Sequence, residues 1–442
     1  MLLRHGQVTA EGWWAPYSAD LPHMMFSLSK SFTSTAIGLA ADEGYLSLDD
    51  AVISYFPQET PVEIGPNLAA MQIRHLLMMG TGNEQDTTDK MHGSEDGNWV
   101  RAFLEAPVER EPGTHFVYNS GATYMLSAIL QKVTGQTLLD YLQPRLFEPL
   151  GIEGAAWESC PRGINTGGWG LSIKTEDIAR FGQLYLQKGV WNGKRILPEA
   201  WIEEATSKQI SNGDGGDNDW AQGYGYQFWR CRHGVYRGDG AFGQYCIVMP
   251  EQDAVLAITS GANDMQAVLN AVWEHLLPAT GPDPLSPERD MQQKLDDQLQ
   301  KLILHPPQQQ AKSPLEQTIS GKTYQLEEND LQLTSFAVEI SGNSADVRFG
   351  SHSGDHVIHC GREEWVEGTS RLLQGKETIV LASFTWQKPD TLELCLRFVE
   401  TPFSITSSIR FNGNELVLNR KFNVSFGPAE SPEIRGQRTE SD

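Results

Sequence analysis

The chain has 442 residues, a length that suits two or three domains. Hydrophobic residues make up 39% and charged residues 21%, and 12 Trp, 12 Tyr and 17 Phe exclude a disordered chain. The formal net charge of -23 repels phosphate backbones and anionic lipid, and no Lys/Arg cluster reverses it locally, so neither nucleic acid nor a membrane is expected as a partner.

Five cysteines (Cys160, Cys231, Cys246, Cys360 and Cys395) are odd in number and scattered, with no CxxC pair or metal-ligand spacing. That usage suits a reducing compartment. No run of about 18 apolar residues occurs. The opening MLLRHGQVTAEGWW lacks the pattern of a secretory signal, and a cytoplasmic location is the expectation.

Residues 2–14 alternate and break at His5-Gly6, which predicts a strand, a turn and a second strand. Residues 26–42 are mostly apolar, free of Pro and too short for a membrane span; they predict a buried helix stopped by Gly44. Further helices are predicted over 69–79, 122–134, 137–146, 174–188 and 198–206. Residues 245–260 read as two strands joined at Pro250-Glu251-Gln252-Asp253, and 266–277 as a closing helix. Strands at both ends with helices between them imply an α+β domain whose sheet joins its two termini. After Gly281-Pro282-Asp283-Pro284 comes a polar helical stretch, 287–304, and then the linker-like His305-Pro306-Pro307-Gln308-Gln309-Gln310. From about residue 314 short alternating segments predict strands over 346–349, 378–386, 391–399 and 415–418, an all-β barrel or sandwich.

One short motif carries chemistry. In Ser27-Leu28-Ser29-Lys30, Ser27 sits where a helix begins and Lys30 lies one turn on, so the two side chains share a face. A serine hydroxyl becomes nucleophilic when a nearby base takes its proton, and a desolvated lysine can be that base. Taken alone, Ser27 reads equally well as a helix cap. A lysine at the head of a buried helix, however, must find partners or lose its proton.

Farther along stands Pro112-Gly113-Thr114-His115-Phe116-Val117-Tyr118-Asn119-Ser120, then Thr134-Gly135, Pro149-Leu150-Gly151 and Gly167-Gly168-Trp169-Gly170-Leu171. In order and spacing, these motifs over about residues 1–278 resemble the serine β-lactamase-like hydrolases. That family includes class C β-lactamases, D-aminopeptidases, D,D-carboxypeptidases, other penicillin-binding proteins and certain esterases. The resemblance implies a β-lactamase/transpeptidase-like α+β domain (an antiparallel sheet flanked by helices) over 1–280, a helical segment and linker over 281–313, and the β domain over 314–442. It implies Ser27, Lys30 and Tyr118 as catalytic residues, with an oxyanion hole from the backbone amides of Ser27 and Ala241. It implies no metal or organic cofactor.

Two departures bear on substrate. Ser120 stands where the family often has asparagine, offering one hydroxyl instead of an amide. The third motif, Lys-Thr-Gly in many members, is replaced by Gly238-Asp239-Gly240. Gly238 therefore takes the place of a cation. Arg237 is one residue off, and a strand side chain so offset points to the other face. Ser120, Asp239 and Gly240 are the expected substrate-binding positions, Gly240 by letting substrate lie against the strand. His75 and His115 read as structural. The aromatic group Trp220, Tyr224, Tyr226, Phe228 and Trp229 reads as core or as a wall of the site.

The expected activity is acyl transfer through a covalent Ser27 intermediate on an ester, amide or lactam, with a small molecule or short peptide as substrate. The missing cation favours a carboxylesterase or small amidase over a β-lactamase. The alternative is a penicillin-binding-like sensor that keeps the fold and turns over slowly. Oligomeric state is open.

Overall fold

The computed structural model describes residues 1–281, 288–310, 312–352, 354–373 and 375–439. Part of the expected helical stretch and linker, residues 282–287 and 311, lies outside them. The chain forms two compact units: Met1–Glu11 with Pro22–Glu288, and Gly12–Leu21 with Arg289–Asp442.

In the first unit, β1 (Leu2–Arg4) and β2 (Gln7–Ala10) form the expected hairpin. The second strand ends at Ala10, and Gly12–Leu21 belong to the other unit. With β3 (Trp229–Arg230), β4 (Tyr236–Gly240), β5 (Gln244–Met249) and β6 (Ala254–Ile258) they make an antiparallel sheet ordered β2-β1-β6-β5-β4-β3. The sheet joins the two ends of the unit. Alternation along β5 and β6 separates its faces. Cys246, Val248, Val255 and Ala257 join the large helical core. Tyr245, Ile247, Met249 and Leu256 pack with Leu269, Val272 and Trp273 of the closing helical segment.

The helical core is built around α1 (Ser29–Asp42), α2 (Ser120–Thr134) and α3 (Thr175–Leu186). In α1, residues Ser29 to Ala40 are all buried, including its hydroxyls. Those hydroxyls find partners outside the helix, as buried polar groups must. Ser31 Oγ donates to the Gln227 carbonyl at 2.9 Å, Ser34 Oγ to the Tyr226 carbonyl at 2.7 Å, and Thr33 Oγ1 to the Gly167 carbonyl at 2.8 Å. The Ser/Thr-rich face is thus a set of latches that locks α1 in register with neighbouring loops. The single helix expected over 69–79 is two short ones, Pro66–Ala70 and Ile73–Leu77, interrupted by extended Met71 and Gln72. Helices Thr88–His92 and Trp99–Leu104, in a polar, turn-rich stretch, were not expected.

The second unit is all β apart from short helices. Strands β7 (Lys322–Leu326), β8 (Leu333–Ser341), β9 (Ser344–Ser351), β10 (Gly354–Arg362), β11 (Val366–Ser370), β12 (Thr378–Lys388), β13 (Thr391–Phe398), β14 (Ser404–Asn412), β15 (Glu415–Phe422) and β16 (Ile434–Arg438) pair in the order β10-β9-β8-β7-β16-β15-β14-β13-β12-β11. A parallel contact of β10 with β12, Gly361↔Ser383 and Arg362↔Phe384, closes nine of them into a barrel. This decides between barrel and sandwich. Closure also leaves those nine without a free edge, while the tenth, β11, is paired on β12 at the end of the order. The linker-like stretch is pinned: Gln310 exchanges backbone hydrogen bonds with Trp386, at 3.1 and 3.0 Å.

Phe32 of α1 is fully buried and stacks on Phe181 of α3 at 4.0 Å between ring centroids. Phe32→Ala is expected to destabilise the first unit by about 3–5 kcal/mol in urea unfolding followed by near-UV circular dichroism. A cost under about 1 kcal/mol would show that this contact does not hold α1 against α3.

Candidate active site

Ser27 lies in a single 3-10 turn, Phe26–Leu28, that leads into α1, and its hydroxyl caps no backbone amide. It instead accepts a hydrogen bond from Lys30 Nζ at 3.0 Å. The turn is fixed from outside: Ser29 Oγ donates to the Phe26 carbonyl at 2.6 Å and accepts the Leu171 N–H at 3.1 Å.

Lys30 is 1% exposed. Its Nζ donates to Ser27 Oγ at 3.0 Å, to Ser120 Oγ at 3.0 Å and to the Gly168 carbonyl at 2.7 Å. Among the described residues no carboxylate comes within ion-pair distance of it. Burial therefore dominates and lowers its pKa to about 7, against the opposing pull of Asp86 and Asp239. The N-terminus of α2, which begins at Ser120, adds a positive dipole end on the same side.

Tyr118 lies with its ring centroid 4.8 Å from Lys30 Nζ and stacks on Trp229 at 5.3 Å. Burial, reinforced by Asp239, pushes its phenol above the ordinary range, while a hydrogen bond with Ser27 acts the other way. At neutral pH Tyr118 is thus a protonated group within reach of Ser27.

The Tyr118-Asn119-Ser120 segment divides its work. Asn119 is fully buried; its Oδ1 accepts the Gly121 N–H at 3.0 Å, the Thr87 N–H at 3.1 Å and the Thr87 hydroxyl at 2.9 Å. It caps α2 and ties down the Thr87 loop. Ser120 is the residue turned toward Lys30.

Gly238 and Gly240 both face the start of α1. A Cβ on Gly238 would meet Ser31 Oγ and Leu28 Cδ1 at 2.5 and 2.6 Å, and one on Gly240 would collide with the Met25 carbonyl. The place of the family's cation is sterically closed, and Gly240 packs its sheet face on the Met25 backbone. Arg237 does not replace the cation. It is fully buried, its Nε donates to Asp239 Oδ2 at 3.0 Å, its Nη1 donates to the Asp219 carbonyl at 2.8 Å, and its guanidinium lies 4.4 Å from the Trp220 ring. Asp239 is thus engaged by Arg237. Burial still raises its pKa, with Arg237 as the main opposing influence.

Beyond Gly240 the chain turns sharply. Phe26, just before Ser27, has φ +48°, and Phe242, just after Ala241, has φ +65°. Non-glycine residues seldom adopt this region, and such strain gathers at working sites. Their rings meet edge to face at 5.7 Å. Gln244 Nε2 donates to the carbonyls of Ala241 and Ser260, at 2.9 and 2.8 Å. Among the described residues neither the Ser27 nor the Ala241 N–H has an acceptor within the chain.

Sequence reasoning missed Asp86, Gln244 and Ser260, which support the site from two loops and from the start of β5. Asp86 carries a faint signal: Asp86-Thr87-Thr88 has the form of a helix start, and Asp86 Oδ1 accepts the Thr88 N–H at 2.9 Å while Oδ2 accepts the Ser120 N–H at 3.2 Å. His75 is structural, its Nδ1 accepting the Gln72 N–H at 3.0 Å. The aromatic group is split: Tyr226 and Phe228 are core, whereas Trp229 backs Tyr118 and Trp220 covers Arg237. All five cysteines are free and buried. Among the described residues no cluster of His, Cys, Asp and Glu could hold a metal, and no helix is long and apolar enough to cross a membrane.

The buried lysine makes a linkage prediction. Its folded pKa, about 7, is below the ordinary 10.5, so between these values the unfolded chain holds a proton that the folded chain lacks. That contribution to stability rises with pH. Lys30→Met removes it. From pH 7 to 9 the stability of wild type relative to Lys30→Met should therefore increase by about 2 kcal/mol in all, with a slope that is half-developed at pH 7 and nearly full by pH 8, read from urea unfolding. A pH-independent difference would mean that Lys30 remains charged in the folded state.

Comparison with known proteins agrees with this geometry. A 6-aminohexanoate-dimer hydrolase from Paenarthrobacter ureafaciens is 26% identical over 60% of this chain and 72% of its own. A solved Bacillus anthracis protein, named as a candidate 6-aminohexanoate-dimer hydrolase, superposes with a TM-score of 0.54 at 24% identity, over 64% of this chain and 79% of its own. The octameric penicillin-binding protein homologue from Pyrococcus abyssi shares the fold over 99% of this chain and 94% of its own, with a TM-score of 0.50 at 16% identity. The beta-lactamase family profile matches residues 1–277, more than half of the chain, and the protein belongs to that family.

Proposed function

We propose that the protein is a serine hydrolase that cleaves esters or small amides through an acyl-enzyme on Ser27. The observation that carries this reading is the contact of Ser27 Oγ with a buried lysine whose pKa is lowered to about 7. Neutral Lys30 accepts the Ser27 proton as Oγ attacks the carbonyl carbon. The Ser27 and Ala241 amides take the developing oxyanion, each donor worth about 3–4 kcal/mol in the transition state. The carbonyl re-forms, the bond to the leaving group breaks, and Tyr118 delivers a proton to that group while regaining one from Lys30. Water then attacks the ester on Ser27, giving its proton to Lys30; the acyl–Oγ bond breaks, Oγ takes that proton back from Lys30, and the acid departs.

The same geometry argues about substrate. The cation position is closed at Gly238, and Arg237 is buried on Asp239. No fixed positive charge is offered to a substrate carboxylate, which favours a carboxylesterase or small amidase over a β-lactamase or carboxypeptidase. The similarity to a 6-aminohexanoate-dimer hydrolase supports an amide substrate of modest size.

Intact-mass spectrometry after exposure to a fluorophosphonate should show one adduct on wild type and none on Ser27→Ala, with p-nitrophenyl ester turnover lost in the variant. An adduct elsewhere, or none on folded wild type, would remove Ser27 from the mechanism; an adduct without turnover would turn the reading toward a sensor. In wild type, kcat/KM for a neutral ester should rise with pH through an apparent pKa of about 7. A limb at about 4–5 would assign the base to a carboxylate instead.

A further inference from the structure

Lys30 Nζ stands among three oxygens: Ser27 Oγ at 3.0 Å, Ser120 Oγ at 3.0 Å and the Gly168 carbonyl at 2.7 Å. A protonated lysine has three N–H donors and no acceptor, so in that form it donates to all three. Ser27 is then an acceptor with its own proton turned away. A neutral amine has two N–H bonds and one lone pair. The Gly168 carbonyl can only accept, so it keeps one N–H. The remaining N–H and the lone pair divide between the two hydroxyls in one of two ways. Where Ser120 donates into the lone pair, Ser27 accepts the N–H and is idle. Where Ser120 accepts the N–H, the lone pair faces Ser27, which can surrender its proton on attack. The two arrangements differ in where Ser120 directs its O–H.

We propose that Ser120 is a substrate-sensing positioning residue: a hydrogen-bond acceptor on the acyl group of the substrate takes the Ser120 O–H and so turns the Lys30 lone pair toward Ser27. The favoured substrates are esters or amides whose acyl part carries an ether, carbonyl or amide oxygen next to the scissile carbonyl. This inference rests on the serine-hydrolase reading above and narrows its substrate class.

Ser120 is half-buried at the first turn of α2, so the residue keeps part of its surface within reach of a ligand. Of the charged and titratable groups facing Lys30, Asp239 is paired with Arg237, the Tyr118 phenol is directed at Ser27, and Asp86 accepts the Thr88 N–H and hydroxyl on Oδ1 and the Ser120 N–H on Oδ2. An asparagine in this place has no single atom able both to donate and to accept. The serine at this position therefore adds a switch that the family's usual residue lacks.

The test uses two isosteric substrates, p-nitrophenyl methoxyacetate and p-nitrophenyl butyrate, which differ by an ether oxygen for a methylene. The ratio of their kcat/KM values is measured in wild type and in Ser120→Ala, which cancels their intrinsic reactivities. The ratio should fall about tenfold in Ser120→Ala, the size of one ordinary hydrogen bond, and the fall should lie in kcat. Ser120→Thr, which keeps the hydroxyl, should restore it. An unchanged ratio in a Ser120→Ala protein that still labels at Ser27 with a fluorophosphonate would overturn the gating role and leave the hydrolase reading intact. Absence of label on wild type would remove the hydrolase reading itself.

Discussion

The site depends on one constraint: a lysine amine buried among three neutral oxygens with no carboxylate in contact. Water is excluded from Lys30, and the attraction of Asp86 and Asp239 acts from a distance. Desolvation exceeds that attraction, which is what makes a lysine useful as a base near neutral pH. A carboxylate in direct contact would hold the lysine charged and leave Ser27 an acceptor.

The fold exists around that environment. Lys30 sits in the first turn of α1, and the helix can be buried there because its other polar side chains are satisfied by the backbone of neighbouring loops. The Gly168 carbonyl is brought within 2.7 Å of Nζ by a loop that Thr33 also holds, through the adjoining Gly167 carbonyl. Opposite, Phe26 and Phe242 carry the positive φ values that present the Ser27 and Ala241 amides, and Gln244 and Ser260 brace the second turn. Strain at the two turns is held by packing and hydrogen bonds around them.

Much of this was legible in the sequence. The hairpin at His5-Gly6, the buried helix behind Ser27, the paired strands around Pro250 and the all-β second unit follow from periodicity and turn residues. Barrel closure did not, because it depends on a short parallel contact between β10 and β12 that leaves no local pattern. The helix expected over 69–79 is interrupted at Met71 and Gln72, whose apolar and polar side chains continue the helical spacing while the backbone is extended. In the site, Ser27, Lys30 and Tyr118 converge as their motifs suggested. The packing of Gly240 on Met25 was not legible, because the Met25 carbonyl is distant in sequence. Asn119 shows a similar limit: its neighbour Ser120 faces Lys30, and only the three-dimensional loop shows that Asn119 caps α2.

The absent cation of the third motif has a steric origin in this chain. Ser31 and Leu28 occupy the space a side chain at 238 would need, and the nearby arginine is consumed by Asp239. On the proposed reading, selectivity then falls to hydrogen bonding and shape, and catalysis to the protonation state of one amine. That state is measured most directly by NMR titration of protein labelled with 13C at the lysine ε carbons, with the Lys30 signal assigned by its loss in Lys30→Arg. The structure predicts a midpoint near pH 7. A midpoint near the ordinary 10.5 would show a lysine charged throughout the physiological range and would contradict its role as the base for Ser27.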